Sequence, residues 1–101
     1  MLKEGYIGRW KEYPKDEVKV TVARPSCLGP SESLLKDWKE RKINWADYEK
    51  RFRAEILSNP KAMEKLREIK NLSQEKDVRL ICYEKNPPCH RFILIDLINS
   101  L

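Results

Sequence analysis

The sequence predicts a small α/β domain built on a parallel sheet, and three observations support this. "VKVTVA" (Val18 to Ala23) alternates strictly and is rich in β-branched residues, the pattern of a half-buried strand. "DVRLICYE" (Asp77 to Glu84) reads as a second strand, and three segments of helical periodicity lie between the two. Strands separated by helices pair parallel across a right-handed crossover. The expected order is β-α-α-α-β-α, one domain over residues 1–101 with helices packed on the sheet. Two strands make a meagre sheet, so residues 1–17 are read as an N-terminal arm or edge strand, unless a partner chain completes the sheet.

Each element follows from local chemistry. "RPSCLGPS" interrupts regular structure after the first strand with Pro25, Gly29 and Pro30. Ser31 or Ser33 caps a helix running to about Lys42, with Leu34, Leu35 and Trp38 on its inner side. Asn44 caps the next, and Asp47 stands in its first turn, where the helix dipole favours a negative charge. Trp45, Tyr48, Phe52 and Ile56 form an apolar stripe along that helix. Asn59 caps a third helix with Pro60 at its first position, where a missing N–H is harmless, and Met63, Leu66 and Ile69 face inward. After the second strand, Asn86, Pro87 and Pro88 introduce a helix reaching Leu101 that is apolar on nearly all sides beyond Arg91.

Composition narrows the function classes. The chain has 101 residues, 41% hydrophobic and 37% charged, enough for one modest core. It holds no apolar run long enough to span a membrane, and "MLKEGYIGRW" has no signal-like apolar core. Three cysteines, an odd number, argue against an extracellular disulfide framework, so a cytoplasmic protein is expected. The Lys/Glu-rich balance with a single glutamine, Gln74, is the kind seen in proteins of hot environments. A net charge of +5 would attract polyanions, but basic and acidic residues interleave through "KDWKERKINWADYEKRFRAE", which reads first as a solvated helical face. Trp38 and Trp45 fall on apolar stripes, so core packing is favoured over base stacking and nucleic acid is not the favoured partner. The oligomeric state is left open.

The densest chemistry lies in "LICYEKNPPCHRFILIDLI" (Leu80 to Ile98), which places two cysteines, the only histidine, Glu84 and Arg91 at one bend. In open α/β sheets, ligands bind beyond the carboxyl ends of the strands. Cys89, His90 and Arg91 fall at the start of a helix, where the dipole and neighbouring His and Arg favour a thiolate. Cys89 is the candidate nucleophile, with Glu84 or His90 moving protons. Arg91 and unpaired helical N–H groups suit an anion, making a small anionic ligand the expected partner. Cys82, ending a strand, reads more as a small buried hydrophobe. A metal reading gathers Cys27, Cys82, Cys89 and His90, but neither Cys-x-x-Cys nor His-x-x-x-His occurs, and adjacent Cys89 and His90 diverge on a regular helix. No metal is expected, and the sequence names no cofactor. A Cys82–Cys89 disulfide is a further reading.

"GPSESLLKDWKERKINWADYEKRFRAEI" followed by "VRLICYEKNPPCHRFILIDLI" resembles the YeaO-like family of small bacterial and archaeal proteins of unknown function. The resemblance covers roughly Val18 to Leu101 and implies an intracellular α/β domain. It marks Arg24, Tyr48, Glu49, Arg51 or Arg53, Glu84, Cys89, His90 and Arg91 as the polar positions of interest. The YeaO-like pattern keeps a histidine at "CYEKNPPCHR" and lacks the cysteines, which shifts weight toward His90 and anion binding. Two expectations follow. One is an enzyme or anion-binding domain with catalytic Cys89, His90 and Glu84 and anion-binding Arg24 and Arg91. The other is a nucleic-acid or protein-interaction module that uses the basic helices.

Overall fold

The computed structural model of the protein describes residues 1–85 and 88–101. Its elements are β1 (Leu2–Tyr6), a 3-10 helix (Ile7–Glu12), β2 (Val18–Thr21), α1 (Glu32–Lys39), α2 (Trp45–Leu57), α3 (Pro60–Ser73), β3 (Val78–Cys82) and α4 (His90–Asn99). The sheet has the order β1-β3-β2, and both neighbours of β3 run parallel to it. Val18 pairs with Val78 and Leu2 with the same residue from the other side. The pairing expected of the two predicted strands is therefore present, and the N-terminal segment supplies the missing third strand, at an edge.

Strand alternation divides the sheet into two unlike faces. Val78, Leu80 and Cys82 of β3 point toward the helices and belong to the core, with Val22, Leu28 and Leu34 from the segments after β2. Helix α4 packs on β3 and β1, α3 packs on β3 and α4, and α2 packs on α1, α3 and α4. Surrounded in this way, α4 buries Ile93, Leu94, Leu97 and Ile98, which explains its lack of a polar side. On the opposite face Arg79 pairs with the buried Glu17 and lies 4.0 Å from the centre of the Tyr13 ring. A Cβ on Gly5 would stand 2.7 Å from Arg79 Cδ and 2.9 Å from the Tyr13 ring, so this layer needs glycine there.

The helix starts follow their caps. Ser31 Oγ accepts from Leu34 N at 3.2 Å, Asn44 Oδ1 from Asp47 N at 2.8 Å and Asn59 Oδ1 from Lys61 N at 3.1 Å. Helix α1 ends at Lys39, before the expected Lys42, because Arg41 takes a left-handed conformation (φ 58°). Lys42 N then donates to Asp37 O at 2.9 Å and Arg41 N to Trp38 O at 3.1 Å, which closes a Schellman motif. Helix α4 begins at His90, two residues later than Pro88. Cys89 is its extended N-cap (φ −148°, ψ 145°). Asn86 and Pro87, also read as part of that helix start, lie outside the described residues.

Candidate functional site

The core-facing row of β3 ends at Cys82, so its side chain emerges on the helix side at the carboxyl end of the central strand. The chain then turns and enters α4 through Cys89 and His90. His90 Nδ1 lies 3.9 Å from Cys82 Sγ and 3.7 Å from Cys89 Sγ. These three ligand-type atoms all fall within 4.8 Å of one another, and all three residues are buried. His90 Nε2 is 2.7 Å from the Val22 carbonyl oxygen. A carbonyl can only accept, so Nε2 carries a proton and donates it. In the neutral ring the Nδ1 lone pair then faces the two sulfurs.

The thiols titrate as a pair. The hydrogen bond from Cys89 pulls the Cys82 thiol well below the usual thiol range, helped by His90 and a backbone contact at Glu84. The same shared hydrogen bond, then burial, pushes Cys89 up. Helix-start placement alone would have favoured Cys89 as the thiolate. The partner thiol couples the two titrations, because a single proton shared between two sulfurs leaves one of them hard to ionise.

A cleft of about 190 Å³ opens above this group. Ala23, Arg24 and Pro30 form one rim after β2, while Tyr83 and Glu84 border it after β3. Its wall is aromatic: Trp38, Trp45 and Tyr48 line it from α1 and α2. Trp45 stacks on Tyr48 at 4.7 Å, Trp38 meets Trp45 edge-on at 5.4 Å, and Phe52 behind them meets the His90 ring edge-on at 5.4 Å. Burial raises the Tyr48 hydroxyl pKa, and the charge of the nearby Cys89 and Cys82 raises it further, so the phenol stays protonated. Gly29 helps place Arg24, since a Cβ there would come within 2.9 Å of the Arg24 backbone nitrogen.

Of the residues expected at the site, Cys89, His90, Glu84 and Arg24 line the cleft. Arg91 does not. It is buried elsewhere, with Nε donating to Glu4 Oε2 at 2.7 Å and its terminal nitrogens to the carbonyls of Glu84 and Lys85. It lines a separate hollow with Glu4, Tyr6, Arg9, Tyr13 and Lys85. Glu49 and Arg53 pair with each other, and Arg53 also reaches Asp96, while Arg51 pairs with Asp37, so none of these lines the cleft. Cys27 is exposed on the loop after β2 and stands apart from the cysteine–histidine group.

The sequence signals for Cys82, Trp38 and Trp45 pointed to core packing, and all three also border the cleft. The strand period of two, carried through Val78 and Leu80, does place Cys82 on the helix side. Nothing in the sequence indicated that the apolar stripes of α1 and α2 continue past the core as the wall of an opening.

Fold and site together define a small α/β protein with a cysteine–histidine cleft at the carboxyl end of a parallel sheet. The chain matches the family model DUF488-N3a, described as the active DUF488-N3 subclade, over residues 7–101, and it belongs to that family. The resemblance to YeaO-like proteins holds at the level of the broader DUF488 grouping, a domain of unknown function. No curated protein matches the chain. No solved structure matches it either. Among the described residues, no helix is long and apolar enough to cross a membrane.

Proposed function

We propose that the chain is a small enzyme acting on an anionic molecule held in the cleft, with Cys82, Cys89 and His90 as its reaction centre. One observation carries this reading: two thiols converge on one oriented histidine nitrogen at the floor of an opening, not inside a sealed core. The surroundings fit a ligand with a flat or apolar body. Trp38, Trp45 and Tyr48 offer ring surface, while Arg24 and Lys39 supply positive charge at the rim and Glu84 an acid or base. Arg91 acts as a positioning residue, holding the Glu84 and Lys85 carbonyls and thereby the bend that carries Cys82 toward His90.

Paired alkylating reagents test the reading. Iodoacetate and iodoacetamide differ in charge but not in reacting group. In the reduced chain, stripped of metal with a chelator, a cationic cleft should raise the iodoacetate-to-iodoacetamide rate ratio at Cys82 or Cys89 above that of glutathione. Arg24→Ala should bring the ratio back toward the glutathione value without loss of fold. If neither cysteine reacts until the chain is unfolded, the cleft admits no ligand and the reading fails.

A further inference from the structure

We propose that Cys82, Cys89 and His90 are three ligands of a thiophilic divalent cation, with zinc as the first expectation, and that the fourth position opens into the cleft. The inference deepens the enzyme reading and rests on it only for the use made of that open position.

The spacing fits. With Zn–S near 2.3 Å and Zn–N near 2.0–2.1 Å, a tetrahedron puts sulfur about 3.6 Å from nitrogen and two sulfurs about 3.8 Å apart. The two Nδ1–Sγ distances here are 3.7 and 3.9 Å, and the whole group lies within 4.8 Å. Little movement is needed to place an ion between the three atoms. Neighbours in sequence rarely achieve this, because a regular helix splays them apart. Cys89 escapes that constraint as an extended N-cap outside the helix, so its sulfur turns back toward the ring of His90.

The outer shell is in place as well. A metal-bound histidine usually donates its other ring N–H to a carboxylate or backbone carbonyl, which fixes both tautomer and orientation. His90 does so to the Val22 carbonyl at 2.7 Å, leaving Nδ1 to bind the ion. Two thiolates and a neutral imidazole balance the charge of a divalent ion, so the burial of all three residues needs no further counterion.

The arrangement is also open. A structural zinc site closes with a fourth protein ligand, whereas three ligands and a vacant position are the pattern of catalytic sites. Among the described residues no fourth Cys, His, Asp or Glu joins the group. All three members line the cleft, so water or a donor atom of the bound molecule can complete the coordination.

Cobalt(II) is the probe, because tetrahedral thiolate coordination gives intense visible bands and a sulfur-to-metal charge-transfer band in the near ultraviolet. The titration uses the reduced, full-length Cys27→Ser chain, in which Cys82 and Cys89 are the only sources of thiolate. One equivalent of cobalt should develop both signals, and one equivalent of zinc should displace it. Cys82→Ser and Cys89→Ser should each lose stoichiometric binding, with circular dichroism reporting the fold. Should either serine variant unfold, the spectrum of the Cys27→Ser chain decides alone. Absence of stoichiometric uptake, or a cobalt spectrum without thiolate charge transfer, overturns the site. The alkylation ratio of the metal-free chain reports on the cleft and the cobalt spectrum on the ligands, so either reading can fail without the other.

Discussion

Arg91→Ala separates a positioning arginine from a ligand-binding one. The Arg91 side chain is 3% exposed and connects β1, through Glu4, to the bend after β3. Its charge-assisted hydrogen bond to Glu4 would ordinarily be worth about 1.5–3 kcal/mol. The Glu4 carboxylate is 42% exposed and regains water when the partner leaves, so the lower end of that range applies. Removing the buried stem methylenes adds about 0.8 kcal/mol each. Together these give roughly 3 kcal/mol of destabilisation, and at about 4–8 °C per kcal/mol the midpoint should fall by 12 °C or more. Urea and thermal unfolding followed by circular dichroism would measure it. Arg24→Ala, at an exposed rim position, should change stability by less than about 0.5 kcal/mol while reducing the preference for iodoacetate. If Arg91→Ala is as stable as the wild type, or lowers the iodoacetate preference with the fold unchanged, Arg91 is an anion ligand after all.

Three further predictions concern the scaffold. Glu17 is buried against Arg79, whose hydrogen bond lowers its pKa from the ordinary 4.5, so it contributes stability above that pH that is lost as pH falls through the folded value. Glu17→Gln should accordingly weaken the protein by about 2–4 kcal/mol at pH 7 and flatten the acid limb of its stability profile below pH 4.5. Arg41→Gly should raise stability by about 0.5–1 kcal/mol, since glycine adopts the left-handed cap without strain; an unchanged urea midpoint would count against the Schellman assignment. Gly5→Ala should cost about 1–3 kcal/mol by displacing the Tyr13 ring and Arg79, and loss of the Tyr13 near-ultraviolet signal should accompany it.

Much of the scaffold was legible because its signals are local. Asn44 and Asn59 cap the helices that their residue types announce, and the alternation in "VKVTVA" and the short apolar run in "VRLIC" mark the two strands that pair. The first strand was harder to read, since "LKEGY" alternates poorly and its Gly5 signals a turn as readily as a close approach to Arg79. At the site the limit was long-range. "CHR" suggests three neighbouring groups with a common purpose, yet Arg91 pairs with Glu4, 87 positions away in sequence. His90 is oriented by Val22, 68 positions away. No local pattern reports either partner.

The bend gathers its groups through a change of backbone geometry within two residues. Were α4 to begin before Cys89, successive side chains would fan out by about 100° each, and the cysteine, histidine and arginine would face three different environments. With Cys89 extended and His90 the first helical residue, the sulfur and the ring nitrogen meet at 3.7 Å, while Arg91 alone continues the helical turn toward β1. Cys82 reaches the same point because the strand alternation that buries Val78 and Leu80 carries its side chain to the helix side as well. The cysteine–histidine group thus depends on where a strand stops and where a helix starts. A substitution that moves the start of α4 by one residue should abolish cobalt thiolate coordination even with Cys82, Cys89 and His90 all retained.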